Sequence, residues 1–399
     1  MVEHLTDLMR AEAEALDIPH PPTEAILRGA RGSRRTHILV PGLAAAAAAT
    51  VVGAFVLLPG AGQRPDDAGV RRAERAPAAF TSAEAAAAQQ TYAESGAYAA
   101  GTNVYFGDLE RGVEIDDSAV RGLYYTSAGL LVRHGKDYLM DGSTPDTWSL
   151  VGTDGSVAGL DISLGDVSAS TDPTQPYLAY AQPAGDAWEV VVLDLRTGEA
   201  VAVVPVRGAF TWGGWDAPPV ALSGDHVYVG LDDDVAAVDW RTGDVTATPL
   251  PGSVYPDISA DRFLQVVNRP TARGIGASAR ISDARSGEVL LDLPDLGDKW
   301  ASLSPDGSHV LVLPYMLVDD DGQIGRLDGA VLYSVDTGES TELPASPVGG
   351  YGWTPDGSVI SVDDADLTQC DLAGCSTVPI APGAARAGTV RLGGMVNES

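Results

Sequence analysis

Lysine and cysteine are nearly absent from this 399-residue chain. Lys136 and Lys299 are the only lysines, so the other 23 of the 25 basic residues are arginine, against 55 Asp and Glu. The net charge is −30. A surface that acidic repels phosphate backbones and anionic lipid faces, which excludes nucleic-acid binding as a main task. The charge is also uneven. Residues 1–75 hold nine Arg and nine acids, so the whole imbalance lies beyond them. Catalytic signatures are missing too. There is no Gly-x-Ser-x-Gly elbow, no run of metal-ligand spacing, and no cysteine paired with a histidine. No enzymatic activity, cofactor or metal is therefore expected.

Only Cys370 and Cys375 are present. They flank a tight turn in Gln-Cys-Asp-Leu-Ala-Gly-Cys-Ser. Cysteines so placed on paired strands can face each other as a disulfide, whereas a metal site would need two more ligands nearby. A disulfide implies an oxidising compartment.

One apolar stretch is long. Ile38–Leu58 runs 21 residues without a charge, enough to cross a hydrocarbon core of about 30 Å as a helix. The 36-residue leader and the long core argue for an uncleaved anchor over a signal peptide. Arg28, Arg31, Arg34 and Arg35 precede it; Arg64, Arg71, Arg72 and Arg75 follow. This near-tie in basic charge leaves orientation to the cysteines, which place the later residues outside. The expected organisation is a cytoplasmic tail (1–36), a transmembrane helix (37–60), a linker (61–100) with helical character over SAEAAAAQQTYA, and a folded region (101–395). In the tail, Leu5, Leu8, Met9, Ala13 and Leu16 have helical spacing up to the prolines at 19, 21 and 22. His4 and His20 have no cysteine companions, so a zinc site there is not expected.

The folded region is written in repeats. Asp194-Leu-Arg-Thr-Gly198-Glu199, Asp239-Trp-Arg-Thr-Gly243-Asp244 and Asp283-Ala-Arg-Ser-Gly287-Glu288 are followed by a weaker Ser334-Val-Asp-Thr-Gly338-Glu339. The intervals of 45, 44 and 51 residues, with flanking apolar strands, predict a radial array of four-stranded blades. Glycine supplies positive φ at each turn and Asp caps it through backbone N–H groups. Further turns at 107–112, 152–155 and 371–374 bring the count to seven. A second turn recurs upstream of a strand at Ser223-Gly-Asp225, Ser259-Ala-Asp261, Ser304-Pro-Asp-Gly307 and Thr354-Pro-Asp-Gly357. The fold expected is all-β: a seven-bladed β-propeller, with six blades as the alternative. Blade 1 shows one clear hairpin, and Thr389-Val-Arg-Leu392 is the candidate for its missing strand and for ring closure.

These two turn motifs resemble those of WD40-like, TolB-like and quinoprotein-like bacterial propellers over roughly residues 100–395. The Gly-His to Trp-Asp signature of eukaryotic-type WD40 repeats is absent. So are the Trp after the Thr-Gly turn and the adjacent cysteines of quinoprotein dehydrogenases. Tail, anchor and acidic propeller together are similar to uncharacterised envelope proteins of GC-rich Gram-positive bacteria. The resemblance implies a fold and a place in the envelope, and no chemistry.

Propeller geometry separates two faces. Both repeated turns fall on one face, and the B–C and D–A connections fall on the other. The long connections expected there are 134–147, 268–279 and 315–329, the usual location of binding surfaces. Trp212, Trp215, Tyr255, Trp300, Tyr351 and Trp353 lie in or just after D–A connections. They are the speculative ligand-facing residues, with packing between blades as the competing role. His226 and His309 start strands and read as surface residues; His134 reads as a lone loop residue. Asp319-Asp320-Asp321-Gly322 lacks the remaining ligands of a calcium loop and reads as a solvated acidic loop. Asp232-Asp233-Asp234 reads as a hairpin tip.

The function expected is a membrane-anchored, extracytoplasmic module that binds an envelope protein, peptide or glycan. The alternatives are a propeller hydrolase or lyase acting on sugars or lactones, and a sensor partner of a sigma-factor system.

Overall fold

The computed structural model describes residues 79–394 apart from 118, 137–145, 165–168, 212–214, 253–256, 272–273, 298, 315–328, 347–349, 364 and 381–389. The expected tail, the span at 38–58, Trp212, Tyr255 and Asp319–Gly322 lie outside the described residues. Among the described residues no helix is long and apolar enough to cross a membrane.

Local turn chemistry sets the architecture. The N–H of each turn glycine donates to the carbonyl opening its turn: Gly198 to Asp194 (2.7 Å), Gly243 to Asp239 (2.7 Å), Gly287 to Asp283 (2.9 Å) and Gly338 to Ser334 (3.0 Å). The four glycines have φ between 70° and 82°, a region a Cβ disfavours. Each turn closes an outer hairpin, and the seven turns read from sequence are the seven C–D turns of a seven-bladed propeller.

The strands, from the axis outward, are as follows. Blade 2 contains Ala119–Thr126, Gly129–Gly135, Thr147–Val151 and Val157–Leu160. Blade 3 contains Ser170–Thr171, Tyr177–Ala184, Ala187–Asp194 and Glu199–Val206. Blade 4 contains Val220–Ser223, His226–Gly230, Asp234–Asp239 and Asp244–Pro251. Blade 5 contains Asp257–Ser259, Arg262–Thr271, Gly274–Asp283 and Val289–Gly297. Blade 6 contains Lys299–Leu303, His309–Pro314, Val331–Ser334 and Ser340–Glu342. Blade 7 contains Gly352–Trp353, Val359–Val362, Asp366–Asp371 and Gly374–Pro379. Blade 1 is composite. Its inner strand is Val390–Leu392, and Ala97–Ala100, Asn103–Phe106 and Val113–Glu114 complete it. The closing register is Tyr98↔Leu392, Ala99↔Arg391 and Ala100↔Val390. The C-terminal strand thus closes the ring, as its sequence suggested.

Packing repeats the seven-fold plan. Among the described residues there are seven apolar clusters, one at each blade–blade interface, including the 7–1 seam built on Tyr98, Ile360, Leu367, Val390 and Leu392. Each blade is a small sheet with little interior of its own, and burial between neighbours makes the core.

Among the described residues one helix, α1 (Ser82–Ser95), precedes the ring. Thr81 and Glu84 form a reciprocal capping box: the Glu84 N–H donates to Thr81 Oγ1 (3.3 Å) and the Thr81 N–H to Glu84 Oε2 (2.7 Å). The helix is tied to the turn face. The Tyr92 hydroxyl reaches the carbonyls of Thr126 (2.9 Å) and Gly129 (3.0 Å) at the A–B turn of blade 2. Thr153 Oγ1 donates to Gln89 at its C–D turn (2.9 Å). The stretch over 80–100, expected as linker, is thus a docked helix followed by a blade strand. Only Ala88 and Tyr92 of the helix are buried, too few to mark a seated face in an alanine-rich sequence.

Candidate functional site: the two faces of the ring

The turn face is closed on itself. Asp194 Oδ1 accepts from the N–H of Arg196 (2.8 Å), and its Oδ2 from the same residue's guanidinium (2.6 Å). Asp239 and Asp283 cap their turns through two backbone N–H groups each, at 2.7 to 3.0 Å. These bonds hold all three carboxyls below their ordinary pKa: chiefly the Arg196 side chain for Asp194, the Thr242 N–H for Asp239 and the Ser286 N–H for Asp283. Ion pairs then link turns within and between blades: Arg285 to Asp261 (2.5 Å), Arg262 to Asp336 (2.9 Å), and Arg241 to Asp225.

The opposite face carries the longer connections. Three of these were expected, and the structure revises them. The stretch 268–279 is not a loop. Arg262–Thr271 and Gly274–Asp283 pair along their full lengths from Arg262↔Asp283 to Thr271↔Gly274. The inner strand of blade 5 ends at its pairing with Leu264, so the hairpin continues as a ribbon without an inner neighbour. Pro270 therefore sits at an edge, where a missing N–H is tolerated. The segment 134–147 is a connection only from 136, because Gly129–Gly135 extends through His134. Of 315–329, only Gly329 is described. The D–A connections at 161–169, 207–219 and 343–351 are also long.

A buried polar network anchors the base of the connection in blade 2. Arg121 is 1% exposed, and its guanidinium pairs with Asp146 (2.6 Å). Arg133 pairs with the other oxygen of the same carboxylate (2.7 Å). The guanidinium of Arg121 lies where a Cβ on Gly135 would stand, 2.7 to 2.9 Å from three of its atoms, so glycine is required for this close approach. His134 is not a lone loop residue. It is buried, with Nδ1 3.1 Å from Asp117 Oδ2 and Nε2 2.9 Å from Ser149 Oγ. Burial lowers its pKa, against the opposing pull of Asp117. Arg133 and His134 end one strand and Asp146 and Ser149 start the next, so the network clamps both feet of the 136–146 connection. The Asp–His–Ser spacing also matches a nucleophile relay. However, His134 and Ser149 are 4% and 5% exposed, which leaves a substrate carbonyl no approach to the hydroxyl.

Asp257 opens the inner strand of blade 5. Burial among the inner strands raises its pKa from 3.8 to about 7, opposed by a hydrogen bond from the Leu303 backbone. Among the described residues no group of three or more His, Cys, Asp or Glu is placed to hold a metal ion.

Three of the four described aromatics expected at the mouth pack between blades 6 and 7. Trp353 is 2% exposed and donates from Nε1 to Ser302 Oγ (3.1 Å). Tyr351 is buried, and its hydroxyl donates to the Pro344 carbonyl. Both lie in the cluster between blades 6 and 7, with Trp300 half-buried against it. They are wedges between blades. Trp215 is half-buried in the 207–219 connection. His226 and His309 begin strands, partly exposed, as expected. Asp232 belongs to a tight tip, and its carboxylate accepts from the Thr211 N–H and hydroxyl, both at 2.9 Å. Cys370 and Cys375 are disulfide-bonded, with Cα atoms 4.1 Å apart.

No protein-family model matches the sequence, and none of the curated proteins matches it. Solved structures similar to it include the β-propeller domain of the trilobed protease from Pyrococcus furiosus, with 12% identity over 66% of this chain and 85% of that one, TM-score 0.41. TolB from Acinetobacter baumannii shares 15% identity over 63% of each chain, TM-score 0.33. A 6-phosphogluconolactonase, described as putative, from Bacteroides uniformis shares 11% identity over 74% of this chain and 98% of that one, TM-score 0.39. At these identities nothing about activity or partners follows.

Proposed function

We propose that this propeller is a binding module of the cell envelope, held by a single membrane anchor at 38–58 with the ring outside the cytoplasm. Its partner is an envelope protein, peptide or glycan. The observation that carries the reading is the asymmetry of the ring. One face is reduced to short turns whose polar groups satisfy one another. The other carries the long connections, a long two-stranded ribbon in blade 5 and a clamped loop base in blade 2. Variable connections on a rigid scaffold are suited to recognition. Two features support the location: the uncharged run at 38–58, and a disulfide in a chain with no other cysteine.

Thiol labelling in intact cells tests this topology. Cys375 is exposed whereas Cys370 is buried. After treatment with a membrane-impermeant reductant, an impermeant maleimide is expected to label Cys375. Labelling only after the membrane is permeabilised would overturn the extracytoplasmic placement.

A further inference from the structure

Separate stretches of chain meet at one buried imidazole in blade 2. His134 lies near the end of the second strand, paired with Val120 of the inner strand and Thr147 of the third. Its Nδ1 is 3.1 Å from Asp117, in the connection that enters from blade 1, and its Nε2 is 2.9 Å from Ser149 on the third strand. The inner strand adds Arg121 through a bulge. The register steps from Val120↔His134 to Gly122↔Arg133 and skips Arg121, and a bulge of this kind re-aims a side chain. Asp146, just before the third strand, bridges Arg121 and Arg133. The charged groups around the imidazole are thus Asp117, Asp146, Arg121 and Arg133.

This geometry fixes the proton. An ionised carboxylate only accepts, so Nδ1 carries the hydrogen and donates to Asp117. Nε2 is then the acceptor, and the Ser149 hydroxyl donates to it. A second proton on the ring reverses that last bond. Ser149 Oγ would have to accept, and its own hydrogen would lose its acceptor, since Oγ has no other partner among the described residues. Ser149 is buried, and an orphaned donor there is strongly disfavoured. The new charge would also sit near the Arg121 guanidinium, which opposes it.

We propose that this cluster is an acid-sensitive latch, closed while His134 is neutral and released when the imidazole takes up a proton, which frees the entering connection and the third strand from the end of the second. In the closed latch burial above all, together with the charge of Arg121, holds the imidazole below its ordinary 6.5, against the pull of Asp117 and Asp146. Once the latch opens, the solvated ring returns to its ordinary value. The open form therefore binds more protons below pH 6.5. Closure is fully favoured above 6.5 and is lost progressively as pH falls. At pH 5.0 the open form gains by up to about thirtyfold, a factor of about ten per unit. Asp257 responds in the opposite sense, since its folded form holds the extra proton, which separates a local release from general loosening by acid.

Hydrogen exchange by mass spectrometry tests this on the full-length chain at pH 7.5 and 5.0, corrected for the intrinsic pH dependence of exchange. Fragments covering Gly129–Gly135 and Thr147–Val151 should open more often at pH 5.0, by up to about thirtyfold, and the blade 5 strand Arg262–Thr271 should not. His134→Gln keeps a donor for Asp117 and an acceptor for Ser149 but takes up no proton, so its exchange in the two strands should not respond to pH. Ring-nitrogen NMR of the unaltered chain needs no variant, and His134 should carry its hydrogen on Nδ1 at pH 7.5. Unchanged protection of both strands at pH 5.0 would overturn the proposal. So would equal acceleration in blade 5, an undiminished response in His134→Gln, or a ring protonated on Nε2 alone at pH 7.5.

Discussion

Asp257 makes the stability of the ring depend on pH in a direction opposite to that of most carboxylates. Its pKa rises from 3.8 to about 7 because the charged form is desolvated among the inner strands. The folded protein therefore holds a proton between pH 4 and 7 that the unfolded chain releases. Stability falls across that window as pH rises, and this contribution is constant above it. At about 1.4 kcal/mol per pH unit, the shift corresponds to a ceiling of roughly 4 kcal/mol. The residue retains partial exposure, so about 2–3 kcal/mol is the working expectation. Asp257→Asn removes the ionisation and keeps a carbonyl to accept the Leu303 N–H. Urea unfolding of both proteins at pH 4.5 and pH 8 separates this group from every other acid, because only the difference between the two proteins matters. The variant should gain about 2–3 kcal/mol relative to the original chain on going from pH 4.5 to pH 8. A difference that does not change with pH would refute the argument that Asp257 is buried in a charge-excluding setting.

Leu392→Ala in the closing strand should cost about 2–5 kcal/mol, as for other fully buried leucines, and chemical unfolding would measure it. Replacing both Cys370 and Cys375 by serine removes a short covalent loop and should cost about 2 kcal/mol, read in the same way. Asp146→Asn leaves Arg121 as a buried charge with a neutral partner. A loss of about 3 kcal/mol is expected, together with faster hydrogen exchange in strands Gly129–Gly135 and Thr147–Val151.

The blades were legible because turn chemistry is local. Asp239 capping two N–H groups and Gly243 at positive φ are decided within five residues, so the phrase survives as sequence. The closing strand was legible by default, since blade 1 lacked a strand and Thr389–Leu392 was the remaining apolar segment. The ribbon at 262–283 was hidden by glycine, alanine and Pro270, which blur alternation and mimic a loop. The clamp in blade 2 was hidden by distance: Arg121 and Asp146 are 25 residues apart and meet only across strands. Trp353 and Tyr351 show a different limit. An aromatic after a D–A connection can point into a channel or between blades, and sequence position is the same for both. The bond from Gln369 to Glu94 joins a helix to a hairpin 275 residues away, a juxtaposition no local pattern encodes.

The claim that one face recognises and the other merely closes is tested most directly by photo-cross-linking in the cells that make this protein. A photoreactive residue is placed at Gly185, in a tight B–C turn with open space around it, or at Thr242, in a C–D turn. The account predicts a discrete cross-linked partner from Gly185 and none from Thr242. A partner captured from Thr242 and not from Gly185 would contradict it.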